Sequence, residues 1–180
     1  RSGRRLRTGR RGTDEQDPKL NPRIAHVSSV HPATDARIFE KECSTLARSG
    51  YDVLLVATGD APSEADFRVV ALKRASMRPV RMMLGGARAI RQALRFRPDL
   101  VHLHDPELIP FILLLRARGI RVVFDAHEDI PATILLKPYF GPRLARVMAW
   151  FGRMLTGAVD HTANGVIAAT PAISKAYTRA

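Results

Sequence analysis

Cysteine, aromatic residues and long apolar runs are scarce in this sequence, and each shortage excludes a class of protein. Cys43 is the only cysteine in 180 residues, so an internal disulfide framework is excluded and a reducing, cytosolic setting is expected. No segment approaches the roughly 20 consecutive apolar residues that a bilayer-spanning helix needs. Residues 1–22 are basic and contain no apolar run, so they do not resemble a signal peptide. We predict that they form a disordered basic tail, followed by one domain over residues 23–180.

Lysine is also scarce, because arginine supplies 24 of the 29 basic residues; the net charge is +12. Aromatic residues do not alternate with the basic residues of the tail, so a stacking surface for single strands is not supported and we predict no nucleic-acid partner. A solvated basic surface and contact with an anionic membrane both remain open. The membrane alternative depends on two segments in which arginines recur beside apolar residues: Arg81, Arg88, Arg91 and Arg95 with Met82, Leu84 and Leu94, and Arg143, Arg146 and Arg153 with Trp150 and Phe151.

Glycine is missing where dinucleotide-binding folds need it most. The segment SSVHPATDAR, residues 28–37, follows the first predicted strand and contains no glycine. A dinucleotide-binding domain needs Gly-x-Gly-x-x-Gly at that turn, because glycine lets the backbone approach a pyrophosphate closely. The sequence also contains neither a P-loop nor a Gly-x-Ser-x-Gly elbow. Nicotinamide dehydrogenases, P-loop NTPases and hydrolases with that elbow are therefore not expected.

The sequence does contain a regular alternation of short apolar segments with segments of helical periodicity. Strands are predicted over residues 24–28, 52–57, 67–72, 100–103, 122–125 and 166–169. Helices are predicted over residues 36–48, 79–96, 106–118, 142–156 and 171–177. The third is predicted to be buried, because its FILLL core is apolar on every side. Thr34 or Asp35 is expected to cap the first helix. The alternation predicts an α/β fold: a doubly wound parallel sheet of the Rossmann-like type in a single domain.

Ionisable residues follow two of these strands, on either side of the helix predicted over residues 106–118. His102, His104 and Asp105 end one strand, and Asp125, His127 and Glu128 end the next. Parallel strands joined by a helix bring such ends together at the carboxyl edge of a sheet, where open α/β folds bind ligands. We therefore predict a site at this edge, with His127 within contact reach of His104 or His31.

The histidines at this edge have more than one interpretation. The imidazole of His127 can exchange a proton near neutral pH, which makes it our candidate catalytic residue. The alternative is that Asp125 and Glu128 only cap the following segment. His102 is predicted to be a hydrogen-bonded core histidine. A metal site formed by the strand-end histidines with Asp105 is the rival interpretation, and we predict no metal.

Four segments of the sequence together resemble a known family: RIAHVSSVHPATDARIFEKECSTLARSGYDV, RPDLVHLHDPEL, VVFDAHED and NGVIAATPAISK. Over residues 23–180 the sequence resembles the N-terminal, acceptor-side half of a family 4-type glycosyltransferase of the GT-B fold. The resemblance implies a hexosyltransferase that moves a sugar from a nucleotide-sugar co-substrate, without a further cofactor, to a hydroxyl of a glycan or lipid-linked acceptor. It implies a role in glycan or cell-envelope synthesis, in the cytoplasm or at the inner face of the membrane.

The resemblance also implies roles for individual residues. His127 corresponds to a histidine that contacts the transferred sugar and the leaving phosphate. His31 and Asp35 in the first loop resemble acceptor-site residues, and Asp105 and Glu107 after the fourth strand are implied to bind acceptor hydroxyls. Helix capping would equally explain Asp105. The remaining substrate contacts implied are His104, Glu128 and Thr170.

One motif of the family is missing from these residues. GT-B enzymes of this type hold the nucleotide sugar in a second domain that carries a Glu-x7-Glu pair, and no two glutamates here have that spacing. We expect that the donor-binding C-terminal domain is absent and that these residues transfer no sugar alone. Two alternatives remain open: a nucleotide-sugar epimerase of the same fold, which would release a free epimer, and a non-catalytic α/β binding module.

Overall fold

A six-stranded parallel sheet forms the centre of the domain. The computed structural model describes residues 21–73, 84–135 and 141–178. The strands within them are β1 (Arg23–Pro32), β2 (Asp52–Thr58), β3 (Arg68–Leu72), β4 (Leu100–Leu103), β5 (Arg121–Ala126) and β6 (Gly165–Ala168). Their order across the sheet is β3-β2-β1-β4-β5-β6, and all neighbours are parallel. The chain winds outward from β1 in both directions, so the predicted doubly wound α/β fold is confirmed.

Helices connect these strands. A π-helical segment (Arg37–Cys43) continues into α1 (Ser44–Arg48), and it is followed by α2 (Gly86–Arg95), α3 (Phe111–Ala117), α4 (Ile130–Leu135), α5 (Pro142–Thr162) and α6 (Pro171–Ser174). A 3₁₀ turn at Pro106–Leu108 precedes α3. Glycines with positive φ follow two of the helices: Gly50 has a φ of 90° after α1, and Gly119 has a φ of 76° after α3. Glycine reaches this left-handed conformation without steric cost, which explains why these helices end there.

Apolar side chains of β2 alternate between two cores, one on each face of the sheet. On β2, Leu54 and Val56 belong to the larger core, which also contains side chains of α2, α3 and α5. Leu55, between them, belongs to the smaller core with Ile38 and Cys43 of the π-helical segment. This alternation follows from the two-residue repeat of a strand, and burial on both faces is typical of parallel sheets. Each such buried side chain stabilises the fold by roughly 1.5–3 kcal/mol.

The first strand is longer than its sequence pattern predicts. The predicted strand ends at Ser28, but β1 continues to Pro32, which pairs with Thr58 beyond an irregularity in the β1–β2 register. The Thr58 hydroxyl contacts the carbonyl oxygens of Val30 and His31, at 3.2 and 2.9 Å, and ties this extension to β2. The extension is polar and irregular, so an apolar strand pattern does not reveal it. The segment predicted as a loop is therefore partly strand.

The helix predicted over residues 106–118 is neither continuous nor buried on every side. A 3₁₀ turn occupies its start, and the α-helix proper begins later. Ile112 and Leu115 are buried, whereas Leu113 is 64% exposed and Leu114 is 39% exposed. Only one side of α3 packs on the sheet, so an apolar sequence alone led to a wrong prediction of burial.

Other boundaries also differ from the predictions. α4 was not predicted, α5 continues to Thr162 rather than residue 156, and α6 ends at Ser174 rather than residue 177. Of the helix predicted over residues 79–96, the described part begins its α-helix at Gly86. The positions of Arg81 and Met82, and residues 1–20 of the predicted basic tail, lie outside the described residues.

Candidate functional site

The carboxyl ends of β1, β4 and β5 meet at one edge of the sheet. β1 pairs with β4 and β4 with β5, so the segments that follow them lie side by side. The ring centroids of His31 and His127 are 5.4 Å apart, and those of His104 and His127 are 5.9 Å apart. The predicted proximity of these histidines is confirmed. We call His31, Asp105, Asp125 and His127 the edge group.

Asp125 is the buried centre of the edge group. Its side chain has no exposed surface, and its Oδ1 atom accepts a 2.6 Å hydrogen bond from Nη2 of Arg37. Its Oδ2 atom lies 3.1 Å from Nδ1 of His104 and 3.0 Å from Nε2 of His127. Burial alone would raise the pKa of Asp125, but the contacts with His104 and His127 outweigh burial and hold the pKa well below its usual range. Asp125 is therefore a carboxylate that orients two imidazole rings.

Capping does not explain Asp125. The residue that caps α4 is Asp129, whose Oδ1 atom accepts the backbone N–H of Ala132 at 3.0 Å. Glu128 is exposed and lines a surface pocket of about 370 Å³. The other residues of that pocket include Asp129, Ile130, Arg153, Thr156 and Tyr177. The two acidic residues of the DAHE segment therefore have different environments, one in the edge group and one in a neighbouring pocket.

Asp105 is buried and holds the extension of β1 in place. Its Oδ2 atom accepts hydrogen bonds from the Ser28 hydroxyl at 2.8 Å and from the backbone N–H groups of Ser29 at 2.6 Å and Val30 at 3.3 Å. Its Oδ1 atom lies 3.5 Å from Nε2 of His31. Asp105 occupies the N-cap position of the 3₁₀ turn but makes no side-chain cap bond there. The capping interpretation of Asp105 is therefore wrong.

The other predicted contacts lie at the same end of the strands. The side chain of His31 is 34% exposed, and its Nδ1 atom lies 3.5 Å from Oδ2 of Asp35. Asp35 caps the π-helical segment, as predicted, because its Oδ1 atom accepts two backbone N–H groups of the first turn. Glu107 accepts a 3.2 Å hydrogen bond from the hydroxyl of Ser29. Thr170 is exposed after β6, and its hydroxyl caps α6.

A second set of polar side chains adjoins the edge group. It comprises His26 on β1, Glu42 in the π-helical segment, His102 on β4 and His104 just after β4; we call these four residues the buried cluster. The histidines are 1%, 5% and 1% exposed, in chain order. Their ring centroids are 4.5, 4.8 and 5.3 Å apart. Oε2 of Glu42 lies 3.5 Å from Nδ1 of His26, 3.6 Å from Nδ1 of His102 and 3.8 Å from Nε2 of His104.

Burial controls the charge of this cluster. Burial lowers the pKa of His26 and lowers the pKa of His102 well below its ordinary value. Burial alone would raise the pKa of Glu42, but the contacts with His26 and His104 hold that pKa below its ordinary value. The core location predicted for His102 is confirmed, although Nε2 of His102 has no hydrogen-bond partner among the described residues. The side chain of His104 has no exposed surface, so it lies beneath the cleft and does not line it.

Comparison with known proteins identifies the family. Residues 36–180 match the sequence profile of Glycosyltransferase Family 4. The chain belongs to Glycosyltransferase Family 4. The matched region of this Family 4 chain contains every strand after β1. A search of curated proteins found no significant match.

Solved structures share the fold of this Family 4 chain at low sequence identity. A structure of sucrose-phosphate synthase from Thermosynechococcus elongatus aligns with a TM-score of 0.59 and 14% identity, over 84% of this chain and 43% of that chain. A second structure of this synthase aligns with a TM-score of 0.54 and 16% identity, over 87% of this chain and 81% of that chain. This chain thus spans less than half of the first synthase structure. The likeness shows the fold, which is that of a GT-B glycosyltransferase domain.

The surface of the Family 4 chain carries an exposed apolar face on α5. The large apolar residues that are 50–54% exposed on this helix are Leu144, Val147, Trp150, Phe151 and Met154. Arg143, Arg146 and Arg153 are exposed on the same helix, and Arg88, Arg91 and Arg95 are exposed on α2. Across the described ranges, no helix combines the length and apolar character needed to cross a bilayer.

Three residues of the polar edge were missed at the sequence level: His26, Arg37 and Glu42. His26 had a signal, since it is a lone ionisable residue in the first apolar strand, and it aligns with His102 on the neighbouring strand. Arg37 and Glu42 had none, because charged residues in an amphipathic helix usually face solvent. Nε of Arg37 donates to Oε1 of Glu42 at 3.3 Å, while its Nη2 atom binds Asp125. Arg37 therefore joins the buried cluster to the edge group.

Proposed function

We propose that this chain is the acceptor-side domain of a glycosyltransferase that moves a sugar from a nucleotide-sugar donor to a hydroxyl of a glycan or lipid-linked acceptor. The observation that carries the proposal is the position of His127. In a chain of Glycosyltransferase Family 4, this histidine is held by the buried carboxylate of Asp125 at the carboxyl edge of a parallel sheet. Open α/β sheets bind their ligands at that edge.

In this proposal His127 contacts the transferred sugar and the leaving phosphate. Its side chain is 25% exposed, and its Nε2 atom lies 3.0 Å from Oδ2 of Asp125, as an ion-pair contact rather than a well-directed hydrogen bond. The other ring nitrogen, Nδ1, then meets the substrate. It accepts a hydrogen bond from a sugar hydroxyl when the ring is neutral, or donates one to a phosphate oxygen when the ring is protonated. Asp125 acts through His127 as a positioning residue, because a fixed imidazole needs no reorganisation as charge develops on the phosphate.

The acceptor lies on the other side of His127, beside the extension of β1. His31 is the most exposed member of the edge group, at 34%, and Asp35 and Asp105 are within 3.5 Å of its two ring nitrogens. We assign the acceptor contacts to His31 and Glu107, with Asp35 and Asp105 holding the His31 ring. Thr170 and Glu128 border the same cleft in this proposal and would contact the substrates as the cleft closes.

The donor is bound by a second domain that faces this edge. Two observations support this arrangement: the first synthase structure is more than twice as long as the part this chain spans, and residues 28–37 contain no glycine for a phosphate-binding turn. Transfer requires donor and acceptor in contact, and groups fixed around the departing phosphate. The nucleotide sugar is a co-substrate, and the chemical step needs no further cofactor.

We further propose peripheral contact with an anionic membrane at its cytoplasmic face, where a lipid-linked acceptor would be met. The support is the exposed face of α5, on which Trp150 and Phe151 are 50% and 51% exposed beside exposed arginines. An apolar face rimmed by arginine suits the interface of an anionic bilayer. Nothing in this pattern favours a nucleic-acid partner.

Transfer of a labelled sugar by the complete enzyme tests the proposal. A panel of nucleotide sugars is offered with glycan and lipid-linked acceptors, and wild type is compared with His127→Asn. We expect His127→Asn to lower kcat/KM by about 100-fold or more, since removing one preorganised contact to developing charge has about that effect. His161→Asn, at an exposed histidine of α5, is the matched control and should leave transfer unchanged.

Three results would contradict the proposed function. Full activity of His127→Asn would show that the site lies elsewhere. Release of a free epimer in place of a glycoside would favour the epimerase alternative, which has weaker support because the matched family is one of glycosyltransferases. Sugar binding without any turnover would favour a binding module.

A further inference from the structure

The buried cluster has no part in the transfer reaction proposed above, yet it concentrates four ionisable side chains in one place. Its histidines are all more than nine-tenths buried. The Oε2 atom of Glu42 is also buried and has no hydrogen-bond partner among the described residues. The Glu42 side chain is 19% exposed, and its other oxygen, Oε1, accepts a hydrogen bond from Nε of Arg37. Only Oε2 is left without a hydrogen bond, and it is surrounded by three imidazole nitrogens.

Four of the distances between donor atoms of the cluster are close to those between the ligands of a tetrahedral metal site. Zn²⁺ binds imidazole nitrogen and carboxylate oxygen at about 2.0–2.2 Å, which sets neighbouring ligand atoms about 3.3–3.6 Å apart. Oε2 of Glu42 lies 3.5, 3.6 and 3.8 Å from the three histidine nitrogens. Nδ1 of His26 lies 3.1 Å from Nε2 of His104. The four side chains can offer one ligand atom each, all within 4.8 Å of one another.

The chemistry of the four side chains also suits a metal. Imidazole nitrogen and carboxylate oxygen are both ligands that zinc accepts. Arg37 pairs with Oε1 of Glu42, and the other oxygen, Oε2, lies among the three imidazole nitrogens.

We propose that His26, Glu42, His102 and His104 bind one Zn²⁺ ion at a structural site. Four protein ligands leave no open position, which is typical of structural rather than catalytic zinc. The imidazole nitrogens exclude Mg²⁺ and Ca²⁺, which prefer oxygen ligands. The ion cross-links β1, the end of β4 and the π-helical segment. A π-helical turn is rare and is often found where a side chain must reach a functional position, and here it carries Glu42.

The surroundings of His104 support this assignment independently. Histidine ligands of zinc usually donate their second ring N–H to a carboxylate, which fixes the ring. Nδ1 of His104 lies 3.1 Å from Oδ2 of Asp125, on the side of the ring away from the cluster. Arg37 in turn binds Asp125 and Glu42. The zinc site would therefore fix Asp125, and through it the edge group, whether or not the chain belongs to a sugar-transferring enzyme.

A competing set shares one ligand with this site. His104, Asp125 and His127 also lie within metal-binding distance of one another. That set has three ligands instead of four, His127 is 25% exposed, and the other oxygen of Asp125 is already bound by Arg37. The prediction of no metal from the sequence considered His102 and His104 together with Asp105 and His127. Two of these four residues belong to the buried cluster, whose other members, His26 and Glu42, were not considered.

Metal analysis of the untagged chain tests the proposal. The chain is purified without a polyhistidine tag, its metal content is measured by mass spectrometry, and chelator-treated protein is titrated with ZnCl₂ by calorimetry. We expect one zinc ion per chain, a rise in Tm on adding Zn²⁺ and no rise with Mg²⁺. Co²⁺ in place of Zn²⁺ should give the intense visible absorption of a tetrahedral ion.

Variants separate this site from the competing set. Glu42→Gln and His102→Gln should weaken zinc binding by at least about 100-fold, and Asp125→Asn by about 10–100-fold because it supports a ligand. His161→Gln, at an exposed histidine, should bind as wild type does. Circular dichroism checks that each variant is folded. If the cluster variants do not fold, the zinc stoichiometry and the Co²⁺ spectrum of wild type test whether the chain binds a tetrahedral metal ion. The proposal fails if wild type binds no zinc at micromolar concentration, if Co²⁺ is not tetrahedral, or if His127→Asn loses the ion while Glu42→Gln keeps it.

Discussion

Replacing Asp105 with alanine would remove the acceptor that holds the extension of β1. The Oδ2 atom of Asp105 accepts from the Ser28 hydroxyl and from the backbone N–H groups of Ser29 and Val30. Ser28 and Ser29 are 0% and 1% exposed, so water cannot replace the lost acceptor without a change in the backbone. The truncation therefore leaves buried donors unpaired beside the candidate site.

The size of the effect follows from these contacts. Hydrogen bonds to a charged group each contribute about 1.5–3 kcal/mol, and a buried donor left unpaired costs about 1–3 kcal/mol. The contacts at 2.6 and 2.8 Å contribute most of the stabilisation. Alanine carries no charge that must be desolvated on folding, and this saving offsets part of the lost hydrogen-bond energy. We expect Asp105→Ala to lower the free energy of unfolding by about 3–4 kcal/mol. Asp105→Asn keeps an acceptor oxygen and should lower it by about 1 kcal/mol.

Urea denaturation followed by circular dichroism measures both variants, with the free energy of unfolding taken from the midpoint and slope. The matched control is Asp35→Ala, which removes a true helix cap and should cost about 1 kcal/mol. If Asp105→Ala is no more destabilising than Asp35→Ala, Asp105 does not hold the end of β1. The geometry assigned to His31, which Asp105 supports, would then be wrong as well.

Three further predictions concern the helices and the donor. Gly152→Ala should destabilise the domain by about 1 kcal/mol or more, because the new Cβ would lie 3.3 Å from Ile130 Cγ2 and 3.4 Å from Ile134 Cδ1. Gly157→Ala in the same helix has open space at its Cβ and should stabilise the domain by up to about 1 kcal/mol. Equal shifts of Tm in the two variants would contradict this packing. Binding to vesicles should rise with anionic lipid content and fall in Trp150→Ser, whereas co-sedimentation independent of lipid charge would remove the membrane proposal. Calorimetry of residues 1–180 with several nucleotide sugars should detect no micromolar binding; tight binding, or turnover by these residues, would show that the donor site is here.

The sheet could be predicted because its signals are local. Residues 100–103 form β4 as predicted, since a short apolar run between polar residues fits a buried parallel strand. The edge of the site followed from topology, which places the residues after such strands together. By contrast, the capping bonds that were the alternative interpretation of Asp105 are absent, and its carboxylate binds Ser28 and Ser29 of β1 instead. A carboxylate can accept a hydrogen bond from the adjacent turn or from a distant strand, and the spacing of residues in the sequence does not show which of the two it accepts.

Burial was the least predictable property. The run of apolar residues in α3 indicated burial on every side, but Leu113 and Leu114 are exposed. Glu42 and His26 show the reverse case, in which ionisable residues are taken into the interior. Each of these outcomes depends on what neighbouring elements cover, and the π-helical turn that carries Glu42 has no recognisable sequence pattern. Sequence periodicity identifies the apolar and polar faces of a helix or strand, but it does not show which neighbouring element covers each face.

His104 connects two polar layers, so an effect of its substitution on sugar transfer would not identify a substrate contact. Its Nε2 atom faces Glu42 and His26, and its Nδ1 atom faces Asp125. A change in His104 would move Asp125, and with it His127, without any group of His104 touching a substrate. Measurements that report on one layer only are needed to separate the two. Metal content and Tm of Glu42 variants report on the buried cluster, whereas KM for the acceptor in variants of the partly exposed His31 reports on the cleft.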